Sequence, residues 1–117
     1  MNRRRTGTAY EIMAADYLKT QGYQIIKQNY RCRLGEIDLI ARDGRYLVFV
    51  EVKYRATGGK GVAAAAVNDR KQHTISRVAA FYLVQNRLPE DTPCRFDVVA
   101  IDGEEITLYK NAFDYCG

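Results

Sequence analysis

Between Thr8 and Gly22 the apolar residues Tyr10, Met13, Ala14, Tyr17 and Leu18 recur at three- and four-residue steps, which gathers them on one arc of a helix. Thr6 or Thr8 can cap its start, Lys19 suits its C-terminal dipole, and Gly22 marks its stop. Glu11 falls at the edge of that arc, beside Ala15 and Leu18, so its carboxylate borders the buried face. The pattern then turns to β-formers. Tyr23 to Tyr30, Glu36 to Arg42 and Tyr46 to Tyr54 are expected strands, with Asp43-Gly44 as the hairpin loop between the second and third. The glycine- and alanine-rich stretch 55–67 predicts a loop leading into a helix capped near Asn68 or Asp69 and ending near Asn86. The stripe of that helix is Lys71, Gln72, Ile75, Val78, Ala79 and Tyr82, polar at its N-terminal end and apolar beyond. After Pro89 and Pro93, Arg95 to Ile101 and Ile106 to Tyr109 are the last strands, joined at Asp102-Gly103. The order α-β-β-β-α-β-β predicts an α/β fold: a mixed central sheet of four to five strands flanked by helices, with a right-handed parallel crossover through the second helix.

Strand alternation decides where the polar residues of the hairpin point. On the third strand Tyr46, Val48, Val50, Val52 and Tyr54 share one face; Leu47, Phe49, Glu51 and Lys53 share the other. On the second strand Ile37, Leu39 and Ala41 oppose Glu36, Asp38 and Ile40. A two-residue Asp43-Gly44 loop sets Arg42 opposite Arg45, which puts Asp38 opposite Phe49 and makes it a diagonal neighbour of Glu51, with Cβ atoms roughly 7 Å apart. A slip by one residue would drive both carboxylates onto the apolar face, so the hydrophobic pattern rejects it. Two carboxylates this close on a half-buried face repel unless something positive compensates them, and Lys53 stands two residues beyond Glu51. Oxygen donors without a neighbouring His or Cys select hard cations, Mg²⁺ or Mn²⁺. Such an ion binds a phosphate oxygen and lowers the pKa of an attacking water, while Lys53 orients that water or stabilises the developing charge. The same spacing also suits a solvated salt-bridge ladder of Glu36, Glu51 and Lys53.

The chain has 117 residues, 47% hydrophobic and 27% charged, which fits one globular domain with residues 1–6 as a flexible basic tail. No apolar run approaches the roughly 20 residues of a bilayer span, and the N-terminus lacks a signal-peptide core, so no membrane partner and a cytoplasmic location are expected. Cys32, Cys94 and Cys116 are widely spaced, consistent with reduced structural thiols. The net charge of +4 favours a polyanion, and Arg31, Arg33, Arg42, Arg45, Arg55 and Lys60 are placed to line a groove for one. Gly58-Gly59-Lys60-Gly61 lacks the spacing of a nucleotide-binding P-loop and fits a loop beside the cleft better. His73 is expected to be an exposed helix residue, and Asp97 beside Arg95 a strand-end ion pair.

Taken together, Gly35-Glu36-Ile37-Asp38-Leu39-Ile40-Ala41 followed by Val48-Phe49-Val50-Glu51-Val52-Lys53 resembles the PD-(D/E)xK nuclease superfamily, with Ile37 in place of the proline of its name. Glu11, Asn29-Tyr30-Arg31, Lys71-Gln72 and Arg95-Phe96-Asp97-Val98-Val99 extend the likeness, over almost the whole chain, to the YraN family of small bacterial predicted endonucleases. That family is similar to archaeal Holliday junction resolvases. The resemblance implies a restriction-endonuclease-like fold and metal-dependent phosphodiester hydrolysis. By it, Asp38 and Glu51 hold the metal, Lys53 is the catalytic lysine, Glu11 approaches the metal, and Gln72 sits near it. The expected activity is cleavage of nucleic acid, structured or branched DNA above all, with a homodimer as the candidate assembly because two-fold symmetry serves the cutting of two strands. The alternative is a non-catalytic nucleic-acid-binding or partner-binding protein that keeps the fold.

Overall fold

The structure is a computed structural model that describes residues 3–55 and 67–117, with side chains from residue 9 onward. The glycine-rich stretch with Lys60 and the side chains of Arg3 to Arg5 lie outside the described residues. The elements are α1 (Arg3–Thr20), β1 (Gln24–Cys32), β2 (Gly35–Asp43), β3 (Tyr46–Arg55), α2 (Asp69–Gln85), β4 (Cys94–Asp102) and β5 (Glu105–Phe113). They form an α/β fold in the expected element order, except that α1 starts at Arg3, inside the stretch expected to be a tail.

The five strands lie in the spatial order β1-β2-β3-β4-β5; β3 and β4 are parallel and the other neighbours antiparallel. Helices cover both faces, so the central strand β3 is buried from Leu47 to Val52. That double burial explains its nearly continuous apolar run. On one face Ala14, Ala15 and Leu18 of α1 pack on Leu39, Ala41, Val48, Val50, Val99 and Ile101. On the other, Ile75, Val78 and Ala79 of α2 pack on Ile40, Leu47, Phe49 and Phe96. Among the described residues no helix is long and apolar enough to cross a membrane.

Two details differ from the pattern-based expectation, and both reshape the site. The small side chains Ala14 and Ala15 let α1 approach the sheet along their own side, leaving Met13 43% exposed. This rotation carries Glu11, one turn before Ala15 and two before Leu18, from the edge of the packed arc onto it. The second difference is the β2–β3 turn, which is Gly44-Arg45, flanked by the pair Asp43↔Tyr46. Gly44 has φ +60, the left-handed value a glycine-first primed turn requires. Arg42 therefore faces Leu47 instead of Arg45. Each pairing moves by two, an even step, so the paired residues Leu39 to Asp43 keep their expected faces, and the register continued by one pair sets Asp38 level with Glu51. Gly103 at φ +64 repeats this arrangement between Asp102 and Glu105. β5 outruns its expected end because its register shifts between Phe96↔Phe113 and Val98↔Tyr109, which absorbs the polar residues Lys110 and Asn111 in an irregularity.

Candidate metal centre

The β2–β3 ladder stops at Leu39↔Val50, one pair short of Asp38 and Glu51. Beyond that point the Val52 N–H donates to Asp38 Oδ2 at 2.8 Å, a side chain accepting where the neighbouring strand's carbonyl would. Strict alternation fails at the same place: Leu39 and Ala41 pack under α1, whereas Ile37 packs with Ile40 under α2. On β1 the register sets Asn29 level with Asp38, between Gln28↔Leu39 and Tyr30↔Ile37, and Asn29 has φ 54. Asparagine tolerates that left-handed value better than most residues. At the start of β2, Gly35 has φ +147, and a Cβ there would lie 2.8 Å from Thr74 Cγ2. β2 is thus drawn toward α2 as it leaves β3. The two strands part around the carboxylates.

Glu51 is only 3% exposed, and its Oε2 is 3.3 Å from Lys53 Nζ and 3.4 Å from Lys71 Nζ. Burial, and then the adjacent Glu51, push the Asp38 carboxyl up to about 9, although the Val52 N–H pulls the other way. The two carboxyl groups are close enough to share a hydrogen bond. Glu11 is raised as well, by burial first and more weakly by Glu36 and Glu51, against a hydrogen bond from the Asn29 side chain. Its Oε1 is buried and has no hydrogen-bond partner among the described residues. Carboxyl groups from α1, β2 and β3 therefore act on one another in a poorly solvated gap.

Among the described residues no group of three or more His, Cys, Asp or Glu is arranged as a ready ligand set. The donors that can hold a cation are Asp38 and Glu51, with Glu11 farther out. That set fits Mg²⁺ or Mn²⁺, because Mg²⁺ commonly takes one or two protein carboxylates and keeps several waters. Two carboxylates pressed together call for a proton or a cation, and the unsatisfied Glu11 Oε1 is an acceptor suited to water beside such an ion.

Of the residues singled out from the sequence, Glu11, Asp38, Glu51 and Lys53 come together. Gln72 makes its hydrogen bond elsewhere: its Nε2 donates to Val67 O at 3.1 Å, and it lines a hollow with Val98 and Tyr109. No hydrogen bond or ion pair among the described residues joins it to Asp38 or Glu51. Its neighbour Lys71 supplies the contact from α2, and Asn29 supplies the partner of Glu11. The Lys71-Gln72 pair at the polar end of the helical stripe marked the right turn of α2, but one residue is more than a quarter-turn of helix. Arg31 and Glu36 form an exposed ion pair at 2.9 Å near the same rim.

Arg95 and Asp97 belong to a different cluster, on β4 level with Val48 and Val50 of β3. Fully buried Asp97 accepts from Tyr23 Oη at 2.6 Å, from Arg95 Nε and Nη2 at 2.9 and 2.8 Å, and from the Asn111 N–H at 2.9 Å. Arg95 Nη2 also reaches Asp43 Oδ2 at 2.8 Å, and this hydrogen bond holds the Asp43 carboxyl below its ordinary range. Burial and Asp97 push the Tyr23 phenol upward. This network ties the starts of β1 and β4 to the β2–β3 turn and the end of β5. The three cysteines are free thiols.

A family model described as "Uncharacterised protein family UPF0102" matches residues 10–101. The chain belongs to this family. The match runs from Tyr10 in α1 to Ile101 in β4, so it contains Glu11, Asn29, Asp38, Glu51, Lys53 and Lys71 and leaves β5 outside. A UPF0102 protein of Lachnoclostridium phytofermentans is 57% identical over 117 residues, covering 100% of this chain and 99% of its own. One from Syntrophus aciditrophicus is 51% identical over 114 residues, covering 94% of this chain and 89% of its own. A third, from Legionella pneumophila, is 46% identical over 110 residues, covering 92% and 93%.

Proposed function

We propose that this UPF0102 chain is a cytoplasmic, Mg²⁺- or Mn²⁺-dependent endonuclease that hydrolyses phosphodiester bonds in nucleic acid, with structured or branched DNA as the preferred substrate. One observation carries the reading: two carboxyl groups, Asp38 and Glu51, meet where the β2–β3 ladder ends, and the buried Glu51 has two lysines on its Oε2. A purely solubilising ladder would lie exposed in water, whereas Glu51 is 3% exposed. The likeness of Asp38, Glu51 and Lys53 to the PD-(D/E)xK pattern, and of the wider chain to the YraN family, names the same chemistry.

In this mechanism Asp38 and Glu51 would hold the divalent ion, which would supply Lewis-acid stabilisation and an acidified water when bound. The Val52 N–H fixes one oxygen of Asp38, so its carboxylate is preorganised toward Glu51. Lys53 holds its ammonium beside Glu51, where it orients the attacking water or stabilises charge on the phosphate. Glu11, packed over the gap from α1, offers a free acceptor oxygen to water at the site. Two-fold pairing of chains would serve the cutting of two strands.

The deciding experiment incubates purified chain with Mg²⁺ or Mn²⁺ and a panel of linear duplex, single-stranded, four-way branched DNA and RNA substrates. Cleavage that disappears with EDTA and with Glu51→Ala is expected. Absence of cleavage on every substrate, or cleavage unchanged in Glu51→Ala, refutes the enzyme and leaves the non-catalytic nucleic-acid-binding or partner-binding reading.

A further inference from the structure

Glu51 has more positive partners than a single carboxylate needs. Lys53 Nζ and Lys71 Nζ both approach the same oxygen, Oε2, at 3.3 and 3.4 Å, so two ammonium groups crowd together and repel each other. They are not equivalent. Lys53 projects from the middle of the sheet, two residues from Glu51 on the same strand. Lys71 comes from the first turn of α2, where its backbone N–H donates to the N-cap Asn68 Oδ1 at 3.0 Å. Its main chain is therefore anchored while its long side chain, 33% exposed, can swing.

Resting on the nuclease reading above, we infer that Lys71 is a phosphate-holding residue: it neutralises Glu51 in the metal-free chain and passes to a substrate phosphate when a divalent ion takes its place on Glu51. The charges at the site support this assignment. Glu11, Asp38 and Glu51 carry three negative charges when ionised, and the two lysines offset two of them. A divalent ion at Asp38 and Glu51 then leaves a net excess of one positive charge, which a single phosphodiester cancels. Of the two lysines, Lys71 is the more exposed, 33% against 25% for Lys53, and it reaches Glu51 from a different element, so it is the one we assign to the phosphate. Lys71 thus competes with the metal and cooperates with the nucleic acid, two effects of opposite sign from one side chain.

Opposite signs make the test specific. Isothermal titration of the whole chain with Mn²⁺ alone should show Lys71→Met binding about two- to five-fold more tightly than wild type, the range of a partly exposed ion pair removed from a ligand. Fluorescence anisotropy with a labelled four-way DNA junction in Ca²⁺ should show Lys71→Met binding several-fold more weakly, with a salt slope shallower by about one. Lys71→Arg should restore the junction affinity, and thermal melts of both variants should match wild type, which separates the effect from misfolding. Loss of either half, with Mn²⁺ affinity unchanged or weakened or junction affinity unchanged, overturns the role of Lys71 alone. A wild-type chain that binds no Mn²⁺ overturns the metal-dependent reading and this inference with it.

Discussion

Replacing Asp38 with asparagine should abolish a pH dependence of stability that the wild-type chain shows in the absence of metal. The Asp38 carboxyl is pushed from an ordinary 3.8 up to about 9 by burial and by Glu51, so the folded chain keeps a proton that the unfolded chain has released. The sign follows directly. The stabilisation is complete below the unfolded value and is lost as pH rises toward about 9, because the unfolded state binds fewer protons across that window. One proton gives a slope of a little over about 1 kcal/mol per pH unit, a loss on the order of a few kcal/mol between pH 6 and 8. For a domain of this size that is a fall of roughly 10 °C in melting temperature. Asparagine preserves the shape, keeps an oxygen for the Val52 N–H, offers an N–H to Glu51 and cannot titrate. Thermal melts in EDTA at half-unit pH steps should therefore show the wild-type Tm falling and the Asp38→Asn Tm nearly flat. Saturating Mg²⁺ should flatten the wild-type curve, since the cation replaces the proton, and leave the variant unmoved. Parallel curves for the two proteins in EDTA would show that Asp38 and Glu51 hold no shared proton and would refute the electrostatic account of the site.

Two further perturbations probe the frame that holds the site. Arg95→Met should cost about 3–5 kcal/mol in urea denaturation, because it leaves the fully buried Asp97 without its guanidinium; a loss under about 1 kcal/mol would mean that Tyr23 and the Asn111 N–H suffice. Gly35→Ala should cost about 1–3 kcal/mol, from the backbone strain of a side chain at φ +147 and from contact with Thr74; an unchanged Tm would show that β2 can leave α2 freely.

Much of this molecule is legible in its hydrophobic pattern. Strand alternation predicted Asp38 and Glu51 as neighbours, and the displaced turn left them level with each other because the displacement was an even number of residues. The turn itself was ambiguous: Asp43-Gly44 and Gly44-Arg45 both suit a primed hairpin, and only the backbone decides between them. The break of alternation at Asp38 could not be read, because it depends on a carboxylate taking over a ladder hydrogen bond from the main chain. The orientation of α1 was decided by Ala14 and Ala15, whose value lies in how closely they let two backbones approach, a property that hydrophobic periodicity weights weakly. That rotation made Glu11 a group facing the gap. The choice between Lys71 and Gln72 likewise rested on the rotation of α2 relative to the sheet. Asn29 carried a faint signal, since asparagine accepts left-handed backbone, but nothing local said that it would need to.

The hydrogen bond from the Val52 N–H to Asp38 Oδ2 also makes the backbone a witness to the site. An amide proton that points at a carboxylate should change its chemical shift and its exchange rate when that carboxylate gains a proton, loses one or grips a cation. One NMR resonance can then report occupancy at the centre of the protein with no label on metal or DNA, and it can do so whether or not any substrate is ever cut.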